Sequence, residues 1–519
     1  MNIGEWSSKR AHLYPQRTFL KQEDFCCTNR QFNERVNHAA HALLGLQVGM
    51  GDRVAVLMVN GSAFLEIFFA CAKIGAVLVP LNHQLAAPEL QRIVLTCRPK
   101  ILLYSASFGA VVDELKATDT PVSCYLMHSE GTLEAATAFD GPPAEDAGGE
   151  PHISWEVALT DPVVIMFTSG TTGTLKGAVL THQNFLFGAI HGLLSYGLNP
   201  GTISLVIAPL FHIGALAASA APVIYAGGIL ILRPFDNPSE VLHLIEREKI
   251  NYIFAVPVMF KMLTKAPAWA DADFSHVHFF MSGGAPMPVE LMRQYHTEKA
   301  VHFAQGYGMT ETQRITALEL IDAERKVGSI GKEVFHTTVR IVGDDGRDVP
   351  AGAAGEMIVK GPTIFAGYWD NPQATAEALR NGWFHTGDLG RRDEEGFLYI
   401  VGRKTDVIIC SGENIYAAEV EHAIEALPQV SEAAVVGAPD ANRGEIAVAF
   451  VVLKEAGAVS AEGLIAALKG QLAPYKIPKR VIFTEVLPKT GSGKVHKQEI
   501  KAKLLSQAFT SKECGIHEQ

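Results

Sequence analysis

The string Thr-Ser-Gly-Thr-Thr-Gly-Thr-Leu-Lys-Gly runs from Thr168 to Gly177 behind an apolar stretch. Its hydroxyls, and glycines that let backbone approach a ligand closely, make an anion cradle to which Lys176 adds positive charge. G-x-x-x-x-G-K-[ST] cannot be placed on it, so it is not a Walker-type loop; a Gly/Thr-rich surface turn is the other reading. Gln-Gly-Tyr-Gly-Met-Thr-Glu-Thr, from Gln305 to Thr312, sets an aromatic between two glycines. Tyr307 can lie there against a planar base, and Thr310 and Glu311 offer hard oxygens to phosphate and Mg²⁺. Taken singly, Tyr307 also reads as a core aromatic and Glu311 as a helix N-terminal charge. Asp388, in Trp-Phe-His-Thr-Gly-Asp-Leu-Gly from Trp383 to Gly390, is a turn carboxylate that can accept ribose hydroxyls or its own backbone N–H. Gly-Arg-Lys-Thr-Asp (Gly402 to Asp406), Ser-Gly-Glu-Asn-Ile-Tyr (Ser411 to Tyr416) and Pro-Lys-Thr-Gly-Ser-Gly-Lys (Pro488 to Lys494) follow. The last puts Lys494 on a flexible Gly/Ser loop, where a lysine is ordinarily just solvated.

A chain of 519 residues allows two to four domains at roughly 150 residues each. Phe32 to Leu44 reads as an amphipathic helix, VAVLMV as a strand, Ala63 to Ile74 as a helix closed by Gly75, and AVLVPL as a strand. That order predicts an α/β unit with parallel pairing. Ala135 to Glu150, rich in Ala, Gly, Pro and acids, reads as a surface loop. From about residue 160 to 330 the runs VVIMFTS, GAVLT, SLVIAPL, GILIL, YIFAVP and HFFMSGG repeat the pattern, the layout of a doubly wound core whose strand-end loops form sites. The text from Thr338 to Gly361 alternates around D-D-G and A-G turns, which suits antiparallel strands. The expected fold class is α/β: a large N-terminal domain, residues 1–403, with layered α/β subdomains and a β-rich subdomain, plus a small mobile α+β domain, residues 404–519.

Composition excludes several classes. Hydrophobic residues are 48% and charged residues 19%, so the chain is neither disordered nor fibrous. A net charge of −11 is wrong for coating nucleic acid. The seven cysteines make no C-x-x-C pair, and Cys26 and Cys27 are adjacent; reduced thiols in a cytoplasmic enzyme are the plain reading. The N-terminal text has no apolar signal-peptide core. Ala215 to Leu232 carries no charge but is broken by Ser219, Pro222 and Gly227-Gly228, which predicts a buried helix, a turn and a short strand rather than a membrane span.

Together and in this order, the strings resemble the adenylate-forming superfamily, which includes acyl-CoA synthetases, aryl-CoA ligases, firefly luciferase and peptide-synthetase adenylation domains. The resemblance covers essentially the whole chain. It implies that ATP and a carboxylic acid first give an acyl-adenylate and pyrophosphate, and that a thiol then displaces AMP. It implies that Thr168, Ser169, Gly170, Thr171, Thr172, Gly173 and Lys176 hold the β- and γ-phosphates. Gly284, Ala285, Pro286, Gln305, Gly306 and Tyr307 would wall the adenine. Thr310 would meet the α-phosphate, Glu311 Mg²⁺, and Asp388 and Arg403 the ribose. Lys494 would reach the carboxylate and α-phosphate oxygens, His212 would stand beside the acyl carbonyl, and Gly412 near the pantetheine channel of CoA. Two positions depart from the family pattern: Leu175 stands where a proline usually precedes the loop lysine, and Thr405 where the interdomain hinge is usually Asp or Lys.

The acid pocket is expected from Phe211 to Leu216, Tyr252 to Val258, Ser282 to Ala285 and Gln305 to Met309. These segments hold no Arg or Lys to receive a second carboxylate, and no Asp placed for an amino-acid ammonium. A medium- or long-chain fatty acid is the expected substrate, with CoA as acceptor. Alternatives are an aryl-CoA ligase of the 4-coumarate or benzoate type, an acyl-AMP ligase that loads a carrier protein, a luciferase-like oxidation, and a non-catalytic acyl-nucleotide binder. Expected partners are small molecules only, with a homodimer left open.

Overall fold

The computed structural model describes residues 2–118, 120–128, 149–169, 175–285, 287–410, 413–440, 443–469, 471–472, 474–490 and 494–507. Most of the loop expected over Ala135 to Glu150, and Cys514, lie outside them. By contact the chain divides into two compact units, Met1–Val339 with Ile358–His385, and Arg340–Met357 with Thr386–Gln519.

The first unit carries two large sheets. One is seven-stranded, in the order Gly367–Tyr368, Leu175–Thr181, Pro162–Ser169, Val77–Pro80, Arg53–Leu57, Ile101–Ser105, Cys124–His128. The other is nine-stranded and centres on Phe303–Met309, Phe279–Gly283, Tyr252–Ala255 and Ile203–Val206, all parallel. Helices Asn29–Gly45, Ser62–Ile74 and His182–Tyr196 give residues to one core cluster together with strands of both sheets. Ser62–Ile74 is buried at every position, its two charged residues Glu66 and Lys73 paired with Arg35 and Glu150, and Gly75 ends it with φ +73°.

The uncharged stretch after Ala215 resolves as expected. A π-helical segment Gly214–Ala220 runs into the helix Ala221–Ala226, Gly227 turns the chain at φ +81°, and the strand Ile229–Leu232 follows. No helix among the described residues is long and apolar enough to cross a membrane.

In the second unit, strands Glu413–Tyr416, Val407–Cys410, Gly444–Leu453, Val430–Asp440 and Arg480–Phe483 form a five-stranded sheet. Along Gly444–Leu453, Ala447, Ala449 and Val451 pack with Val420, Ile424, Leu464 and Leu468 of the helices Ala417–Glu425 and Ala461–Leu468. The intervening Val448, Phe450 and Val452 pack with Ile500 and Leu504 of the helix Lys497–Gln507. A strand alternates its faces residue by residue, so one apolar run serves both layers. Another sheet, antiparallel between Trp383–Arg392 and Leu398–Arg403, carries the ribose-site candidates.

Candidate active site

The described ends of the hydroxyl-rich string lie on the two strands of a hairpin. Pro162–Ser169 and Leu175–Thr181 are antiparallel, with Thr168 opposite Lys176 and Ser169 opposite Leu175. Gly170, Thr171, Thr172 and Gly173 lie outside the described residues. Thr168 Oγ1 donates to the Lys176 carbonyl at 3.4 Å. The hairpin base is packed too tightly for a side chain at Gly177, where a Cβ would come within 2.8 Å of Ile165.

A short strand, Gly367–Tyr368, pairs with this hairpin and brings an aromatic that sequence reasoning missed. The Lys176 ammonium stands 5.2 Å from the Tyr368 ring centroid. The Tyr368 hydroxyl donates to Glu311 Oε1 at 2.9 Å, and the Phe365 N–H donates to the Glu311 carbonyl at 2.8 Å. Burial, and then the Glu311 carboxylate, hold the Tyr368 phenol well above the ordinary tyrosine range. It therefore stays a proton donor and fixes one oxygen of a carboxylate that is itself buried. The only sequence signal for Tyr368 is its place in Ala-Gly-Tyr-Trp, an aromatic beside glycine as at Tyr307.

Glu311 suits Mg²⁺. It is a hard carboxylate oriented by a hydrogen bond, and a cation that keeps waters and phosphate oxygens needs only one or two such ligands from protein.

The expected adenine walls come together in the nine-stranded sheet. Gln305, Gly306 and Tyr307 lie on Phe303–Met309, with Ser282 opposite Gln305 and Gly283 opposite Gly306. A Cβ at Gly283 would be 3.0 Å from the Gly306 carbonyl, and Gly284 turns at φ +79°. Ala285 is exposed and Pro286 lies outside the described residues. Tyr196 donates to the Gln305 carbonyl at 3.1 Å. Thr310 sits in the turn between Phe303–Met309 and the antiparallel strand Gln313–Leu318.

His212 is half-buried and opens the π-helical segment: its carbonyl accepts from the N–H groups of Ala215 and Leu216, both at 3.2 Å. Two residues on, a Cβ at Gly214 would be 2.8 Å from the Phe254 ring, and the same ring is 3.1 Å from where a Cβ of Gly283 would stand. All four segments expected to line the acid pocket thus meet around Phe254 and the Gly283–Gly306 contact. Beside them lies a buried cation outside those segments, Arg314.

In the second unit, Asp388 and Arg403 are cross-strand partners, with Arg403 Nε 2.9 Å from Asp388 Oδ1. The Asp388 side chain is nearly buried and that of Arg403 half open. Thr386 Oγ1 accepts from the Asp388 N–H at 3.0 Å and donates to the Met357 carbonyl at 2.7 Å, which pins the turn. The Lys494 carbonyl accepts from the Thr490 N–H at 2.7 Å, closing the Gly/Ser loop at its base. Lys494 is exposed overall, yet dehydration of its ammonium holds its pKa below the ordinary lysine value, with Arg403 pushing the same way and Asp388 opposing. Asp388, Arg403 and Lys494 therefore share one electrostatic environment. Gly412 lies outside the described residues.

Two family models match this chain: AMP-binding enzyme over residues 7–369 and AMP-binding enzyme C-terminal domain over 419–494. The chain is similar to a feruloyl-CoA synthase of an Amycolatopsis species, 39% identical over 500 residues that cover 96% of this chain and 98% of that one. It is similar to the long-chain-fatty-acid–CoA ligase FadD13 of Mycobacterium tuberculosis, 36% identical over 509 residues, 96% and 98% of the two chains. Among solved structures it resembles the o-succinylbenzoate coenzyme A synthetase MenE of Bacillus subtilis in complex with ATP and magnesium ion, with a TM-score of 0.83, 31% identity, and 96% and 99% of the chains covered.

Proposed function

The chain belongs to the AMP-binding enzyme family and is an acyl-CoA synthetase, and from that premise we propose that it activates an aromatic carboxylic acid as the acyl-adenylate and passes the acyl group to CoA. In the first step a carboxylate oxygen attacks the α-phosphorus of ATP, the bond to the β-phosphate oxygen breaks, and pyrophosphate leaves. In the second the CoA sulfur attacks the acyl carbon, AMP leaves, and the thiol proton passes to solvent. A carboxylate oxygen is a hopeless leaving group and AMP a good one, which is why the detour is taken.

Residues 1–403 hold the nucleotide and acid in this reading, and residues 404–519 act as lid. Thr168, Ser169 and Lys176 steady the β- and γ-phosphates at the hairpin tip, with Gly170 to Gly173 between them. Tyr307 and Gly284 flank the base, Asp388 and Arg403 hold the ribose, and Thr310 meets the α-phosphate. Glu311 would hold Mg²⁺, which when bound offsets phosphate charge. Lys494 supplies positive charge where two anions meet. His212 stands beside the acyl carbonyl, and Gly412 leaves room for pantetheine.

One observation carries the adenylation reading. The Lys176–Tyr368–Glu311 chain puts a lysine suited to phosphate over the ring face of one phenol and a carboxylate suited to a cation at its hydroxyl. The choice of an aromatic acid leans on two of the three relatives, named for feruloyl and o-succinylbenzoyl substrates. The medium- or long-chain alkyl reading has its own support in the apolar pocket segments and the fatty-acid ligase relative. A pyrophosphate- and AMP-release screen over acetate, octanoate, palmitate, benzoate and 4-coumarate, with Mg²⁺ and CoA, separates them. The aryl acids should lead by kcat/KM. A protein that never releases AMP on such a panel refutes the ligase reading.

A further inference from the structure

Arg314 is 4% exposed, and no carboxylate among the described residues pairs with it. Its Nη2 donates to the Ala218 carbonyl of the π-helical segment at 3.1 Å and lies 3.7 Å from Met281 Sδ. The guanidinium stacks on Tyr196, 4.6 Å from the ring centroid. Nε and Nη1 have no hydrogen-bond partner among the described residues. A buried guanidinium with idle donors is costly, because its charge has left water for little return.

Its neighbours repeat the pattern. Gln313, 5% exposed, has neither amide oxygen nor nitrogen bonded among the described residues, and its backbone is held at φ +53°, a strained conformation for a non-glycine residue. His191, fully buried, has no hydrogen-bond partner for either ring nitrogen among the described residues. The helix His182–Tyr196 gathers these groups on one face: a Cβ at Gly188 would strike Gln313 Oε1, and one at Gly192 would be 3.3 Å from Arg314 Nη1. His191 lies on the same face, three residues after Gly188. Burial and Arg314 push its imidazole down to about 3, so it is neutral and can donate and accept. The cluster adjoins the acid pocket: Met281, beside Arg314, is 2.8 Å from where a Cβ of Gly306 would stand, and Ala218 follows Gly214 in the same segment.

We propose that Arg314 and Gln313, backed by His191, form a specificity subsite that receives an oxygen-bearing group at the far end of the acid, a second carboxylate or a phenolic or carbonyl oxygen. Arginine offers only donors, so the group it selects must accept. The subsite revises the expectation that no basic residue meets the acid: the cation comes from just past Met309, on the returning strand Gln313–Leu318. The inference rests on the adenylation reading and names the acid for it.

The test compares cinnamate, 4-hydroxycinnamate and 4-carboxycinnamate by acid-dependent ATP–pyrophosphate exchange in the wild type, Arg314→Met, Arg314→Lys and Gln313→Leu. The wild type should favour the oxygenated acids by about 100-fold or more in kcat/KM, because idle donors penalise the bare ring. Arg314→Met should bring that ratio to within a few-fold of one, mainly through the acid KM, with KM for ATP unchanged. Arg314→Lys should keep the preference for the carboxylate and weaken it for the phenol. If Arg314→Met misfolds by thermal melt, Gln313→Leu and Arg314→Lys carry the same ratio test. A wild type that prefers plain cinnamate, or variants that lose all acids equally, overturns the subsite and leaves the ligase standing. Absence of exchange with every acid defeats the adenylation reading, and this inference with it.

Discussion

At the residue scale, the proposed chemistry needs positive charge placed late and a carboxylate held still. Lys494 is the late charge. With Arg403 and Asp388 beside it, its contribution is a fixed point charge rather than proton transfer. Lys494→Ala should lower acid-dependent pyrophosphate exchange by roughly 100- to 1,000-fold, the magnitude typical of removing one transition-state donor. Thioester formation from supplied acyl-AMP should persist within a few-fold. Equal loss of both half-reactions would show that the lysine is not specific to the first. Glu311 is the carboxylate held still. Tyr368→Phe removes only a hydroxyl 2.9 Å from Glu311 Oε1 and leaves the ring under Lys176. It should raise the Mg²⁺ concentration for half-maximal rate several-fold and lower kcat about 10-fold, as loss of an outer-shell partner does. KM for the acid should not move. A variant with unchanged Mg²⁺ dependence would mean the phenol merely packs.

At the element scale, the helix His182–Tyr196 joins stability to pH. The Thr181 side chain caps it, accepting from the Asn184 N–H at 3.3 Å, while His182 Nδ1 accepts from the Ile3 N–H at 3.2 Å. That acceptor must stay unprotonated, and burial pushes His182 down to about 4 from an ordinary 6.5. Below pH 6.5 the unfolded chain binds the proton and the folded chain does not, so stability falls with pH and the full loss, about 3 kcal/mol, is reached below pH 4. His191, pushed to about 3, adds to the same slope. Denaturant midpoints measured between pH 7 and 4.5 should drop less steeply in His182→Asn, which keeps an acceptor but does not titrate; identical slopes would discard the assignment. This scale also marks what was legible. Strands, helix ends at Gly75 and Gly227, and the π-helical region's burial could be read because apolar periodicity and glycine act locally. The hairpin under Thr168 to Lys176 was read only as two apolar runs, VVIMFTS and GAVLT, on either side of a loop, because neither run shows that the two pair antiparallel. Tyr368 and Arg314 were missed for the same reason. Each becomes meaningful only when a distant turn brings Glu311, or a distant helix Gly192, against it, and neither Ala-Gly-Tyr-Trp nor Thr-Gln-Arg-Ile announces such a meeting.

At the scale of the whole molecule, two half-reactions with different nucleophiles cannot both use one closed site. In the proposed mechanism Lys494 serves the first and the thiol needs access for the second, so the proposal has residues 404–519 change position between them. The pivot must be a backbone that can change its angles without dragging packed side chains along. We place it at Thr405. It lies in the short 3₁₀ turn Lys404–Asp406. The residues on either side are tethered, Lys404 to Asp344 and Glu356 at 3.4 Å each, and Asp406 to Lys497 at 3.9 Å. The Lys404–Asp344 pair is exposed and worth no more than about 1 kcal/mol, and the other two are long contacts of 3.4 and 3.9 Å, so all three can exchange as the turn rewinds. Proline at 405 fixes φ and restricts the residue before it. Thr405→Pro should therefore leave pyrophosphate exchange within about threefold of wild type while slowing thioester formation at least 10-fold, with the thermal midpoint used to exclude unfolding. Thr405→Gly, which frees the same backbone, should slow neither step. An overall rate untouched by proline would move the pivot elsewhere; loss of exchange together with thioester formation would mean that residues 404–406 position the first reaction rather than connect the two.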